Sequence, residues 1–180
     1  MRALVLYAST HGQTEKVALR ISEVMRDQGV EAVAEKADGG SDIDPSNFDT
    51  VVVGASIHAG HHQREVRDWV KAHAPTLNSM PSTFYSVSLS AAEDSAESRE
   101  ANRKYIDDFS DETGWSPTET AFFAGALQYR EYDFMTRLLM RLISKHQHQP
   151  TDTSRDYEYT DWEQVESFAR KCGALEVIES

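Results

Sequence analysis

Short apolar runs alternate along this chain with longer segments in which apolar residues recur every three or four positions. The runs have the length of strands, and the periodic segments have the spacing of amphipathic helices. Strands are predicted at 2–7, 30–37, 50–54, 83–89 and 120–126. Helices are predicted around Val17–Met25, closed by Gly29, then at 64–74, at 97–109 and from a capping box at Thr160–Glu163 to Gly173. The second helix is expected to stop before Pro75, because a residue that precedes proline disfavours helical geometry.

This alternation predicts an α/β fold, a doubly wound parallel sheet with helices on both faces. The run at 50–54 is apolar throughout and suits the centre of the sheet, whereas 30–37 alternates apolar and polar residues as an edge strand does. Ligands of such sheets bind at the carboxyl ends of the strands, where the strand order reverses. The loop after the first strand is therefore the first place to look for a site.

That loop brings hydroxyls, a glycine and free backbone amides to the start of the first helix, which suits a bound phosphate. Its residues are Ser9, Thr10, His11, Gly12, Gln13 and Thr14. It has no lysine and neither G-x-x-x-x-G-K-[ST] nor G-x-G-x-x-G, which disfavours a nucleoside triphosphate or a dinucleotide. A plain Ser or Thr N-cap would also explain the hydroxyls. The position after the first strand favours a site for a single phosphomonoester.

Small and polar residues also follow the third and fourth strands, where they leave room for a flat ligand. The candidates are Ser56, Ile57, His58 and Gly60 in the first of these loops and Ser86, Val87, Ser88, Leu89 and Ser90 in the second. Neither 55–62 nor 88–92 contains Trp, Tyr or Phe. A ligand held between these loops would keep one face open.

Three histidines in five positions, His58, His61 and His62, raise the question of a metal site. The spacing is loose and neither cysteine nor aspartate lies nearby, so polar loop residues beside a ligand are the preferred interpretation and no metal is predicted. No nucleophile elbow or zinc-type cysteine pattern occurs. His58 and His11 are candidates for acid–base chemistry by their location alone, since histidine titrates near neutral pH.

Composition narrows the possible partners. The chain has 180 residues and a net charge of −12, with 30 acidic and 18 basic side chains, which argues against a nucleic-acid partner. The length suits one domain over 1–180. The apolar runs fall far short of the roughly 20 residues that span a membrane, and strand 1 starts at once, so no leader is expected. The single cysteine, Cys172, fits a reducing, cytoplasmic compartment and is interpreted as a structural residue or a bystander.

The segment at about 129–159 departs from the strand–helix rhythm. Its apolar residues repeat at helical spacing, and a separate stripe carries Arg137, Arg141 and Lys145. Between 134 and 149 there is no acidic residue, in a chain that is otherwise acidic. This segment is either a surface helix packed on the sheet with a solvated basic stripe, or a basic amphipathic element for a membrane surface or an apolar partner.

Taken together, these features resemble the flavodoxin-like fold with FMN, and several motifs resemble one branch closely. These motifs are similar to the quinone-dependent protoporphyrinogen IX dehydrogenase family over about 3–175. They are Gly54-Ala55-Ser56-Ile57, Leu77-Asn78-Ser79-Met80-Pro81-Ser82, Phe84-Tyr85-Ser86-Val87, Ala124-Gly125-Ala126-Leu127 and Tyr159-Thr160-Asp161-Trp162-Glu163-Gln164-Val165. Flavodoxins carry [ST]-x-T-G-x-T in the first loop, so His11 departs from that pattern.

The resemblance implies five parallel strands in the order 2-1-3-4-5, with a helical insertion at the last strand. It implies FMN as cofactor, protoporphyrinogen IX as substrate, a respiratory quinone as acceptor and a peripheral position on the cytoplasmic face of the membrane. In the insertion, Tyr129 and Arg130 would then contact the substrate, and Arg137, Arg141 and Lys145 would contact the substrate or the membrane. A second copy of the chain stays open as a partner.

Two other functions compete with this one. A flavodoxin acting as an electron carrier would use its acidic surface to dock basic redox partners, and a quinone reductase would draw electrons from NAD(P)H. The bare loops and the basic insert favour the dehydrogenase over the carrier. A redox titration separates these two, and the failure of NADPH to bleach the flavin would set the reductase aside.

Overall fold

A computed structural model describes residues 1–38, 42–92, 95–127 and 157–175. The strands are β1 (Arg2–Tyr7), β2 (Glu31–Lys36), β3 (Thr50–His58), β4 (His61–His62), β5 (Ser82–Ser88), β6 (Glu119–Ala124), β7 (Ala126–Leu127) and β8 (Tyr157–Glu158). The helices are α1 (Gln13–Asp27), α2 (Arg64–Asn78), α3 (Ala96–Thr113) and α4 (Trp162–Gly173), with short 3₁₀ turns at Pro45–Asn47 and Ser90–Ala92.

The main sheet contains five parallel strands in the order β2-β1-β3-β5-β6. Counted along the chain, this is the order 2-1-3-4-5, so the predicted fold class, the central third strand and the edge position of β2 are confirmed. The short β4 pairs antiparallel with the end of β3, and β7 pairs antiparallel with β8 apart from the main sheet. Most of the predicted insertion lies outside the described residues, between β7 and β8.

Alternation along β1 explains why helices cover both faces of the sheet. Val5 belongs to the core that α1 and α4 share, whereas Leu4 and Leu6 belong to the core under α2 and α3. All three side chains are fully buried. Cys172 lies in the first core with its Sγ 3.4 Å from Thr83 Oγ1, and burial raises the pKa of the thiol to about 12. Its burial fits the structural one of the two predicted interpretations.

The prediction that the second helix stops before Pro75 is wrong, because α2 continues to Asn78. Proline removes one helical hydrogen bond, but Pro75 lies on the exposed side of α2, while Leu77 beyond it is fully buried. Asn78 then fixes the end of the helix by donating to the Gly114 carbonyl and accepting from the Ser116 amide, both at 2.9 Å. Packing and capping outweigh the local preference.

The last predicted strand also ends earlier than expected. β6 stops at Ala124, and Ala126–Leu127 leaves the sheet to pair with β8. The reason is that β5, the neighbour of β6, itself ends at Ser88, so the Gly125 amide makes the final contact by donating to the Ser88 carbonyl (3.0 Å). β3, in contrast, runs on to His58, because β4 folds back against it.

The start of the last helix differs in detail from the predicted capping box. Asp161, rather than Thr160, is the N-cap, and its carboxylate accepts from the Gln164 amide at 3.1 Å. The Thr160 hydroxyl is engaged elsewhere and donates to the Ala124 carbonyl at 2.7 Å. This contact ties the start of α4 to the end of β6.

Candidate functional site

A cleft of about 250 Å³ opens at the carboxyl ends of the central strands, where the strand order reverses. Its walls come from the loops after β1, β3 and β5 and from the junction of β6 with β7. The lining residues are Ser9, His11, Gln13, Thr14, Ser56, Ile57, His58, Ala59, Val87, Ser88, Leu89, Gly125 and Ala126. The three predicted loops therefore meet in one place.

Some of the predicted candidates do not line the cleft, namely Thr10, Gly12, Gly60, Ser86 and Ser90. Conversely, Ala59, Gly125 and Ala126 line it without having been predicted. Ala59 sits within a loop that was already a candidate, whereas Gly125 and Ala126 were hidden inside a predicted strand. The insert candidates Tyr129, Arg130, Arg137, Arg141 and Lys145 lie outside the described residues.

The loop after β1 is built to present donors to an anion. Gly12 is the N-cap of α1 in the left-handed conformation (φ 83°), and its amide donates to Ser9 Oγ at 2.9 Å. The first amides of a helix have no intrahelical partner, and the Ser9 hydroxyl, which here accepts, keeps its own hydrogen to donate. The loop offers neutral donors and no lysine or arginine.

A buried tyrosine holds the first turn of α1 in place. The Tyr85 hydroxyl, fully buried, donates to the Thr14 carbonyl at 3.2 Å. The Tyr85 ring fills the space beside Gly54 on β3, so that a β-carbon on Gly54 would overlap the ring. Because Gly54 has no side chain, Tyr85 of β5 can pack beside it and reach the start of α1.

Gln13 links the loop to the far end of the chain. Its Nε2 donates to Thr160 Oγ1 at 2.7 Å, next to the contact of Thr160 with β6. Its Oε1 is buried and accepts no hydrogen bond from any residue that the structure describes. A buried acceptor without a partner costs about 1–3 kcal/mol. Gln13, which lines the cleft, therefore fits a ligand that donates a hydrogen bond.

The other two walls are held by side-chain hydrogen bonds. Gln63 brackets Ser56, because its Oε1 accepts from the Ser56 amide at 2.9 Å and its Nε2 donates to the Ser56 hydroxyl. The buried Asn102 of α3 accepts from Ser88 at 2.9 Å and from Ser90 at 2.8 Å. Ser90 thus supports the wall without lining it. Both walls are fixed from behind.

The three histidines near the end of β3 have three different environments. His58 lines the cleft, and its ring centroid lies 5.6 Å from that of His11. His61 is exposed on β4. His62 is buried between Phe84 and Phe109, whose ring centroids lie 5.1 and 5.0 Å from that of the imidazole. Its Nε2 lies 2.9 Å from Ser86 Oγ. Ser86 therefore points away from the cleft.

These environments also shift the pKa values. Partial burial at the rim of the cleft lowers the pKa of His58, and the nearby His11 lowers it further. Burial, with smaller contributions from Arg67 and His61, lowers the pKa of His62 to about 4. Within the described ranges, no group of three or more His, Cys, Asp or Glu side chains could hold a metal ion.

The walls suit a flat, partly apolar molecule with a phosphate. Aliphatic side chains and small polar groups face one another across the cleft, the loop after β1 offers neutral anion donors, and the lining described above carries no Trp, Tyr or Phe. A flavin mononucleotide has the matching features, and the residues present fit it.

Of the described helices, none is long and apolar enough to cross a membrane.

Comparison with known sequences gives a consistent picture. The flavodoxin domain family matches residues 4–154. Protoporphyrinogen IX dehydrogenase [quinone] of Escherichia coli (strain K12) is 37% identical over 175 residues, which cover 97% of this chain and 96% of that protein. The protein of the same name from Leishmania major is 34% identical over 176 residues, covering 97% of this chain and 75% of its own length.

Solved structures with a similar fold are flavodoxins. Oxidised flavodoxin 1 from Bacillus cereus superposes with a TM-score of 0.59 at 14% identity, covering 98% of this chain and all of that one (100%). The flavodoxin of Streptococcus pneumonia TIGR4 gives 0.57 at 18% identity, covering 97% and 99%. At such identities the likeness concerns the fold alone.

Proposed function

We infer that this chain, which belongs to the flavodoxin-domain family of quinone-dependent protoporphyrinogen IX dehydrogenases, oxidises protoporphyrinogen IX to protoporphyrin IX and passes the electrons to a quinone. The observation that carries this function is similarity along nearly the whole chain, 97% of it, to enzymes of that name. The cleft at the strand ends supports it, because it combines a phosphate loop with walls that leave a flat surface open.

FMN is the flavin that this cleft suits best. The loop of Ser9 and Gly12 would hold the phosphate, the walls at 56–59 and 87–89 would flank the rings, and Gln13 Oε1 would accept a hydrogen bond. Bound FMN supplies an acceptor for the hydride of the porphyrinogen and a donor for the quinone. The protein would position the reactants, and the amides of the first loop would solvate the phosphate without a lysine or arginine.

The phosphate assignment predicts a difference between two flavins. Ser9→Ala removes the acceptor of the Gly12 amide and one hydroxyl donor, so we expect FMN affinity to fall about tenfold. Riboflavin, which lacks the phosphate, should bind the variant and the wild type equally. Fluorescence titration of both ligands measures this.

Thr10→Ala is the matched control, because Thr10 is an exposed hydroxyl of the same loop that does not line the cleft. It should change FMN affinity less than twofold. An equal loss of FMN and riboflavin in Ser9→Ala would place the phosphate elsewhere.

An open cleft suits an enzyme better than an electron carrier. The described walls present only aliphatic groups, small polar groups and two imidazoles, so a flat macrocycle can approach the flavin without displacing an aromatic side chain. A quinone, which is also flat, can use the same approach after the macrocycle leaves. Ala59, in the loop after β3, has a small side chain and so leaves space for such an approach.

The basic insert is the proposed route to the membrane, where the quinone lies. Arg137, Arg141 and Lys145 would meet anionic headgroups at the cytoplasmic face, while Tyr129 and Arg130, which follow β7 closely in the sequence, would meet the substrate. This arrangement makes the protein a peripheral membrane enzyme that receives both partners at one edge.

Charge removal in the insert tests this role. Arg137→Gln together with Arg141→Gln should weaken binding to anionic phospholipid vesicles several-fold or raise the KM for protoporphyrinogen. Vesicle co-sedimentation and steady-state kinetics measure the two effects. Arg99→Gln with Arg103→Gln on the exposed face of α3 removes the same charge elsewhere and should change neither. If the insert variant matches this control in both assays, the proposal fails.

A further inference from the structure

We propose that His58 is the catalytic base of the dehydrogenation, the group that takes the proton released from the porphyrinogen as each hydride leaves. This inference rests on the proposed function and assigns a residue to a step that this function requires. The argument uses the placement of His58, the chemistry of its neighbours and the proton balance of the reaction.

The position of His58 suits a group that exchanges protons with both substrate and water. It ends β3, the central strand, and its ring lines the cleft. The residue is also exposed at the cleft rim, just before the turn at Ala59 and Gly60 (φ 49° and 83°). A proton taken inside the cleft can therefore pass to solvent from the same ring.

The composition of the cleft leaves few alternatives. Its described lining consists of hydroxyl, amide and aliphatic residues and two histidines, His11 and His58. Hydroxyls and amides do not accept a proton at neutral pH. Of the two rings, His58 projects from a sheet strand anchored through Ser56 and Gln63, whereas His11 lies in the loop assigned to the phosphate.

The surroundings of His58 keep its ring ready to accept a proton. The described elements set two titratable side chains beside it: His11, at 5.6 Å between ring centroids, and His61, its register partner in β4. Burial and His11 hold its pKa below the usual 6.5. The ring is therefore neutral at pH 7 and becomes unable to act as a base only as the pH falls through that lowered pKa.

The proton balance of the reaction requires such a group. In each round a C–H bond of a bridging carbon would break, and its hydrogen and electron pair would leave as a hydride, for which bound FMN would be the acceptor. His58 takes a proton from the macrocycle in the same round, and a double bond forms. The proton comes from a pyrrole nitrogen in two rounds and from the remaining bridging CH₂ in the round that completes the aromatic system. The quinone then takes two electrons and two protons. One of these protons corresponds to the hydrogen of the hydride, and the other comes from solvent. Three rounds remove six electrons and six hydrogens.

The test compares three histidine variants of the FMN-loaded protein. His58→Gln, which keeps size and polarity but cannot titrate, should slow flavin reduction by protoporphyrinogen at least about 100-fold. It should leave the FMN dissociation constant within about threefold, and added imidazole should restore part of the rate. His61→Gln, on the exposed side of the same hairpin, is the matched control and should reduce at the wild-type rate.

A second readout does not depend on turnover. Histidine Cε1–H resonances of the FMN-loaded protein should show one ring, assigned by its loss in His58→Gln, with a midpoint below pH 6.5. His11→Gln should raise that midpoint, because it removes a side chain that helps to lower the pKa of His58. The acid limb of the reduction rate, which is the fall in rate at low pH, should move upward in pH by the same amount. Equal shifts in both measurements support His58 as the base.

Two outcomes would overturn the assignment. If His58→Gln is reduced as fast as the wild type, or if the acid limb persists in it, another group takes the proton while the proposed function stands. If protoporphyrinogen fails to reduce the flavin of the wild type, the proposed function and this assignment fall together. The wild-type control therefore separates the two cases.

Discussion

Gly54→Ala is expected to lower the free energy of unfolding by about 3 kcal/mol or more and to weaken flavin binding. The new β-carbon would overlap the Tyr85 ring, and neither side can yield easily. Gly54 pairs with Tyr7 on one side and Tyr85 on the other, in the middle of the sheet. The Tyr85 ring is fully buried and its hydroxyl holds the Thr14 carbonyl, so a displaced ring would also disturb the phosphate loop.

Urea unfolding and FMN titration measure both effects, and a double variant tests the cause. Tyr85→Leu leaves a cavity and is destabilising alone, but Gly54→Ala with Tyr85→Leu should lose clearly less than the sum of the two. Gly125→Ala is the matched control, since its nearest neighbour, Val87 Cγ1, would lie at 3.4 Å. It should cost less than about 1 kcal/mol. A Gly54→Ala protein as stable as this control would contradict the packing described for Tyr85.

Acidification should destabilise the protein through His62 by roughly 3 kcal/mol between about pH 6.5 and pH 4. Burial lowers the pKa of His62 to about 4 from the usual 6.5, so the unfolded chain binds the proton more tightly. Stability therefore rises with pH across this interval and is lost as the pH falls through it. The charged ring would have to remain between Phe84 and Phe109, where it lacks solvation.

The difference between variants isolates this group from the many carboxylates of the chain. His62→Gln cannot titrate, so its stability should fall less than that of the wild type when urea unfolding is repeated at pH 7, 5.5 and 4.5. His61→Gln, one residue away but exposed, should follow the wild type. Parallel curves for wild type and His62→Gln would show that His62 is not buried as described.

The order of the strands in the sheet was implied by the family resemblance. Local patterns predicted the strands themselves and the position of the first loop at the cleft, because each depends on periodicity and on residues adjacent in sequence. They failed where distant contacts decide. α2 passes Pro75 because Leu77 is buried and Asn78 is bonded to the chain near 114–116. β6 ends at Ala124 because β5 has no further residue to pair with it. Nothing near either position in sequence carries that information.

The histidines show the same division within the site. The sequence placed His58, His61 and His62 in one short loop, and the antiparallel turn at Ala59–Gly60 then distributes them among cleft, solvent and core. Gln13 was a predicted cofactor-site residue, but its contact with Thr160 and the supporting role of Tyr85 were not predicted. Tyr85 and Gln13 act through partners far away in the chain, Thr14 and Thr160 respectively, and only the assembled sheet brings those partners within reach.

Anaerobic mixing of the FMN-loaded protein with protoporphyrinogen IX, followed by menaquinone, tests the central conclusion most directly. The flavin absorbance should bleach on the first addition, with protoporphyrin IX formed, and should return on the second. NADPH in place of the porphyrinogen should leave the absorbance unchanged. A flavin that NADPH bleaches and protoporphyrinogen does not would contradict the assignment and identify a quinone reductase of another class.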